Sequence, residues 1–236
     1  MSGGRFGRDP YRASGLGGQP FAGRGYPGGR GGEVTRRGFG APMRQQGVRS
    51  TWRTGLRFAV GYLVVIWAVH LVNVFGFGGA LLAFGIQPLD LSSLWHIVTA
   101  PVLHVNFSHL VSNSLTGALF AFLVGCSGRR AFWEVTGFVV VIGGVGTWIF
   151  GGVGTSHVGA SLLIYGWLAY LLVRGIFNRS VGQTLLGVLL LMGYSGLLWG
   201  VLPGVNGMSW QAHLFGALGG VVAAMMITSD DPPRRS

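Results

Sequence analysis

His109, Asn113, Ser161 and His213 are polar side chains set within long apolar runs, where such groups are costly and mark function by default. Ser161 and His213 have the chemistry of a nucleophile and its general base, because a serine hydroxyl is weak until an imidazole accepts its proton. A carboxylate ordinarily orients that imidazole. Here Asp90 precedes the second apolar run, Glu134 stands at the far end of the third, and the remaining acids lie near the termini. Serine chemistry in this chain would therefore use a dyad. Tyr165, one turn after Ser161 on the same helix face, can pack against the imidazole. His109 and Asn113 are four residues apart and share a face. Their N–H donors, with the backbone N–H of Ser161 at a helix start, could hold the oxyanion that develops on an attacked carbonyl.

Other chemistries lack their residues. There is no HExxH helix for zinc and no pair of acids within the apolar runs. His104 and His109 are five residues apart and do not share a helix face, so they suit no metal, and no cofactor is called for. Haem ligation by His70 with His213 is a minor reading. The lone Cys126 excludes an intrachain disulfide and is expected to pack at a helix end. His70 and His96 read as interface histidines, His104 as a structural hydrogen-bonding residue, and His157, close to Ser161, as a surface loop residue in preference to one that touches substrate. A helix-start serine ordinarily caps its own backbone; the company of His213, His109 and Asn113 turns that reading toward a nucleophile.

The elements that must position these residues are apolar helices. Half of the 236 residues are hydrophobic and a tenth are charged, which points to a lipid rather than an aqueous surround. Spans are expected at 56–75, 106–126, 132–150, 161–173, 184–201 and 208–227, the fourth starting earlier or running on past Val173. The net charge of +11 owes nothing to lysine, which is absent. Loops carrying arginine (Arg129 and Arg130; Arg174 and Arg179; Arg234 and Arg235) alternate with loops that have none. By the positive-inside rule this predicts six spans with both termini cytoplasmic. His109, Asn113, Ser161 and His213 then fall at one depth near the outer face. Residues 1–52 form a Gly- and Arg-rich leader expected to be disordered and to stay attached at the cytoplasmic face against the lipid bilayer, with no nucleic acid as partner. A transmembrane domain is assigned to 53–228 and a short cytoplasmic tail to 229–236. The first outer loop, with Phe84, Ile86, Leu89, Leu91, Leu94 and Trp95, is apolar enough to lie partly in the interface.

The run His104-Val-Asn-Phe-Ser-His109-Leu-Val-Ser-Asn113 resembles the H-x4-H-x3-N motif of the rhomboid family. Gly159-Ala160-Ser161 resembles its GxSG nucleophile motif, with Tyr165 at the aromatic position behind the base. Ala212-His213-Leu-Phe-Gly216-Ala-Leu-Gly-Gly220 resembles its AHxxGxxxG segment. Each motif alone is weak, and three in order on the right spans are specific. The resemblance implies an all-α bundle of six transmembrane helices and a serine endopeptidase without a cofactor. Such an enzyme cuts transmembrane-helix proteins at or near the outer ends of their helices. It makes His109 and Asn113 oxyanion residues and His104 structural. Gly216 and Gly220 would bring span six against span four, and span five becomes a candidate lateral gate. Arginine without lysine suggests a GC-rich bacterial genome, hence a bacterial plasma membrane with the active site on the extracytoplasmic side. Leu162 stands where the family usually has glycine, and the first outer loop lacks the Trp-Arg pair of some members. Leu162 motivates the competing reading, a catalytically inactive rhomboid-like protein that binds transmembrane helices.

Overall fold

The computed structural model describes residues 52–204 and 207–227. The leader, apart from Trp52, and the tail at 229–236 lie outside the described residues. All named elements are helical: α1 (Trp52–Leu71), α2 (Phe107–Gly125), α3 (Arg129–Phe138), α4 (Gly144–Phe150), α5 (Ser161–Phe177), α6 (Val181–Tyr194) and α7 (Trp210–Met226). α1 runs on through a π turn at Val72–Gly76, a second π turn at Val139–Gly143 joins α3 to α4, and α6 tightens into a 3-10 stretch at Ser195–Val201. Four continuous segments, Trp52–Gly76, Phe107–Gly125, Arg129–Phe150 and Val181–Val201, are long and apolar enough to cross a bilayer. α5 and α7 are apolar but shorter, at 17 residues each, and α5 does run past Val173 to Phe177.

α5 occupies the middle of the bundle. Its sequence is apolar all round, the mark of a helix with no solvent face, and it packs against α2, α3, α6 and α7. Residues from Leu162 to Leu171 are buried without interruption. Two polar side chains on α5 find partners: Trp167 Nε1 donates to Thr136 Oγ1 at 3.1 Å, and Arg174 donates through its terminal nitrogen to Ser127 just beyond α2, while Arg174 Nε has none. α1 presents a 3-4 spaced stripe of Gly55, Ala59, Tyr62, Ile66 and His70 to α2. A Cβ on Gly55 would lie 2.6 Å from Cys126 Sγ, so Cys126 packs at a helix end.

Small residues set how closely α7 approaches α5. A side chain at Gly216 would strike the carbonyl of Leu162, and one at Gly220 would strike the carbonyl of Gly166. On the neighbouring face, a Cβ at Gly219 would come within 2.9 Å of Val139 Cα. The two backbones therefore touch, the arrangement small residues allow between apolar helices.

This contact predicts a selective stability effect. Gly220→Ala should destabilise the folded protein by roughly 1–3 kcal/mol through overpacking. Gly137→Ala, at an exposed helical glycine with open space around it, should be neutral or stabilising by up to about 1 kcal/mol. Denaturant titration in mixed micelles checks the pair, and equal effects would show that the α5–α7 contact does not limit stability.

Candidate active site

Ser161 opens α5, and the residue before it, Ala160, offers no side-chain cap. The first N–H groups of the helix therefore have no side-chain cap. The approach to Ser161 is held by main-chain bonds to the loop between α1 and α2. Ile86 N donates to His157 O and His157 N to Ile86 O, both at 2.9 Å, and Gly159 N donates to Ala100 O at 3.0 Å. Gly159 has φ of 127°, a conformation that favours glycine. A Cβ there would fall 2.6 Å from His109 Cε1, 2.8 Å from His109 Nε2 and 3.7 Å from Ser161 Oγ. The His109 ring therefore lies directly over the residue 159 backbone, close to the Ser161 hydroxyl.

α2 carries His109 and Asn113. Asn106 caps it by accepting from His109 N at 2.8 Å. Asn113 is buried, and its main-chain carbonyl accepts from Tyr62 Oη at 2.9 Å, while its side-chain Nδ2 has no hydrogen-bond partner. A buried amide donor without an acceptor is rare and calls for an explanation.

α7 carries His213, which is 5% exposed. Its ring stacks on Tyr165 with centroids 4.0 Å apart and planes 6° from parallel. Its Nδ1 lies 2.8 Å from the Gly200 carbonyl. A carbonyl can only accept, so Nδ1 bears the proton and Nε2 keeps a free lone pair, the form a general base needs. Among the described residues Ser161 Oγ makes no hydrogen bond to His213, the loose arrangement common before a substrate binds. Neither described acid outside the termini supplies a third member. Asp90 Oδ1 accepts from Ser92 N at 2.9 Å and Ser92 Oγ at 2.7 Å, and Glu134 pairs with Arg130 on α3.

One histidine expectation needs correction. His157 is buried, not a surface loop residue. Its Nε2–H faces Thr155 Oγ1 at 2.8 Å and the Gly151 carbonyl at 3.1 Å, and its Nδ1 accepts from Ser209 Oγ at 2.5 Å. Ser209 is the residue before α7, so His157 ties the approach to Ser161 to the start of the helix bearing His213. Sequence reasoning missed this because a histidine in a Gly-rich loop carries no burial signal. His70 and His96 are buried within the protein, and His96 Nδ1–H donates to the Gly85 carbonyl at 2.9 Å. His104 is fully buried with its ring edge-on to His109, centroids 5.1 Å apart. The Val102 carbonyl is near, but neither ring nitrogen meets a partner in good geometry.

Leu162, buried beside the serine, turns toward the π turn of the third apolar segment, where a Cβ on Gly143 would sit 3.1 Å from Leu162 Cγ. The missing side chain at Gly143 makes the room that Leu162 fills. A small cavity opens beside Ser161, walled by Ile86, Pro101, His157, Gly159, Leu162 and Ala212.

Comparison with known proteins identifies the family to which the chain is similar. Residues 91–230, more than half of the chain, match the Rhomboid domain. An uncharacterized protein of Mycobacterium tuberculosis strain H37Rv is 36% identical over 203 residues, 83% of this chain and 84% of that protein. An uncharacterized protein of Mycobacterium leprae is 37% identical over 203 residues, covering 83% and 80%. A Bacillus subtilis protein named "Putative rhomboid protease YdcA" is 32% identical over 135 residues, 56% of this chain and 66% of that protein.

Burial, and then the charge of nearby His109, pushes the His104 pKa down from 6.5 to about 4, and burial also lowers that of His157. The unfolded chain binds these protons near pH 6.5 and the folded chain does not. Their contribution to stability is therefore complete above about pH 6.5 and is lost as pH falls toward 4. The melting temperature in detergent should drop across that window, and His104→Asn should flatten the slope. A melting temperature that does not change with pH there would contradict the neutral, buried assignment.

Proposed function

Because the chain belongs to the rhomboid family, we propose that it is an intramembrane serine protease in which Ser161 and His213 form the catalytic dyad. The observation that carries this reading is the seating of His213. Its ring lies on Tyr165, one turn along α5 from Ser161, with Nδ1 occupied and Nε2 free. Ser161 Oγ attacks the scissile carbonyl as Nε2 takes its proton. The oxyanion is held by the otherwise unpartnered Asn113 Nδ2, by His109 and by the Ser161 backbone N–H. His213 then protonates the leaving amine, and activates the water that hydrolyses the acyl-enzyme. Gly159 admits His109 to the serine, Gly216 and Gly220 admit α7 to α5, and His104 packs behind His109. No cofactor takes part.

Family membership and the apolar helices make this an integral membrane protein. In our reading the six helical segments each cross the bilayer, with both termini cytoplasmic, as the arginine alternation indicates. The site then faces the extracytoplasmic side of a bacterial plasma membrane. Substrates are proteins with a transmembrane helix, cut at or near its outer end where the helix unwinds. The sparsely buried α6, with Gly187 and Leu190 as its buried residues, is the side from which they enter. The alternative, an inactive protein that only binds transmembrane helices, rests on Leu162. That side chain fits the space left by Gly143, which favours a working site.

A fluorophosphonate probe tests the dyad. Wild-type protein in detergent or nanodiscs should label on Ser161, and Ser161→Ala and His213→Ala should not label while remaining folded. Cleavage by Asn113→Ala should fall by roughly 10²- to 10³-fold, the usual loss for one oxyanion donor. Labelling should also weaken in acid, where a protonated His213 cannot accept the serine proton. Labelling that survives His213→Ala, or a folded wild type that never labels, would overturn the assignment.

A further inference from the structure

The proposed dyad has no carboxylate, yet the His213 ring is stacked on Tyr165 and its Nδ1 meets the Gly200 carbonyl. We propose that Gly200 is its positioning residue: the main-chain carbonyl of Gly200 fixes the imidazole in its Nδ1–H form. In that role it does what an aspartate does in a triad. The proposal rests on the dyad reading above.

Three observations converge on this carbonyl. First, it is free to serve. In a 3-10 stretch the carbonyl of residue i accepts from the N–H of residue i+3, and the residue three on from Gly200 is Pro203, which has no N–H. The neighbouring carbonyl of Trp199 is consumed in that way, accepting from Leu202 N at 3.2 Å, whereas that of Gly200 is left for His213 at 2.8 Å. Second, only glycine allows the approach. A Cβ at residue 200 would strike the Tyr165 hydroxyl, sit 2.9 Å from Tyr165 Cζ and lie 3.3 Å from His213 Nδ1. The main chain is thus pressed directly against the stacked Tyr165–His213 pair. Third, Gly200 is the buried residue of the Ser195–Val201 stretch, while Leu198, Trp199 and Leu202 around it are exposed.

The last point gives the arrangement a conformational consequence. Tyr194 and Leu197 are half-buried against the core, but the end of α6 is otherwise lightly packed, and such segments open most readily. When Gly200 leaves, the buried Nδ1–H loses its acceptor, which is costly. Moving the proton to Nε2 would relieve that cost and abolish the base. The nucleophile is therefore activated only while the end of α6 is docked, so that movement of this segment and competence of the dyad are linked.

The test reads the tautomer directly. Full-length protein labelled with [15N]histidine, with the His213 signals assigned through His213→Gln, reports which ring nitrogen carries the proton. Replacing Val201 by its α-hydroxy acid analogue turns the Gly200–Val201 amide into an ester. The carbonyl becomes a poorer acceptor and no side chain changes. Gly200→Ala is the second variant, displacing the carbonyl by steric contact. Wild type should show Nδ1–H and a bare Nε2. Both variants should show mixed tautomers, with fluorophosphonate labelling of Ser161 slowed about tenfold, the scale of one lost hydrogen bond. Folded ester protein with an unchanged tautomer and an unchanged labelling rate would overturn the proposal. A wild type that holds Nδ1–H but never labels would leave the Gly200 contact standing and remove the protease reading instead.

Discussion

The backbones of α5 and α7 lie against one another because Gly216 and Gly220 offer nothing to hold them apart. Between helices surrounded by lipid there is little hydrophobic drive to associate, so close packing must supply the attraction. That contact also sets depth. With Gly216 on the Leu162 carbonyl and Gly220 on the Gly166 carbonyl, His213 arrives over Tyr165, and Ser161 lies one turn away on the same helix. A bulkier residue at either glycine would push the imidazole away from the serine as well as loosen the bundle. Stability and the seating of His213 on Tyr165 thus share one contact. The tie from His157 to Ser209 reinforces it at the end where Ser161 sits.

A second constraint is that polar groups inside the bundle need partners, and here the main chain supplies most of them. His213 uses the Gly200 carbonyl, His96 the Gly85 carbonyl, and Tyr62 the Asn113 carbonyl. A neutral carbonyl orients an imidazole without the desolvation cost of a buried carboxylate, which is severe in a low-dielectric surround. Asn113 Nδ2, both ring nitrogens of His104, His70 Nδ1 and Arg174 Nε break the pattern; of these, Asn113 lies one turn beyond His109 on α2. In the proposed mechanism the Asn113 amide is the unmet donor that an anionic transition state would satisfy.

Much of this was legible in the chain, for identifiable reasons. Helix positions followed from apolar run length, and the structure places segments within a few residues of the expected spans, as with Ser161–Phe177 and Trp210–Met226. The spacings of His109 with Asn113 and of Ser161 with Tyr165 say which residues share a face. What stayed hidden depends on contacts between distant segments. The burial of His157 arises from pairing with Ile86 and Ser209, and no local pattern encodes it. The room for Leu162 comes from Gly143 on another segment. The role of Gly200 belongs to a backbone atom, and its one trace in the sequence is Pro203, whose meaning appears only once His213 is seen opposite.

The central claim is that these residues cut a peptide bond within the membrane, and cleavage in a lipid bilayer tests it most directly. Wild-type and Ser161→Ala proteins would be reconstituted separately in proteoliposomes with a single-span reporter protein, and the products sequenced by mass spectrometry. The account predicts one cut at or near the outer end of the reporter helix with wild type and an intact reporter with Ser161→Ala. A reporter that binds wild type but stays whole, or a cut that persists without the Ser161 hydroxyl, would contradict it.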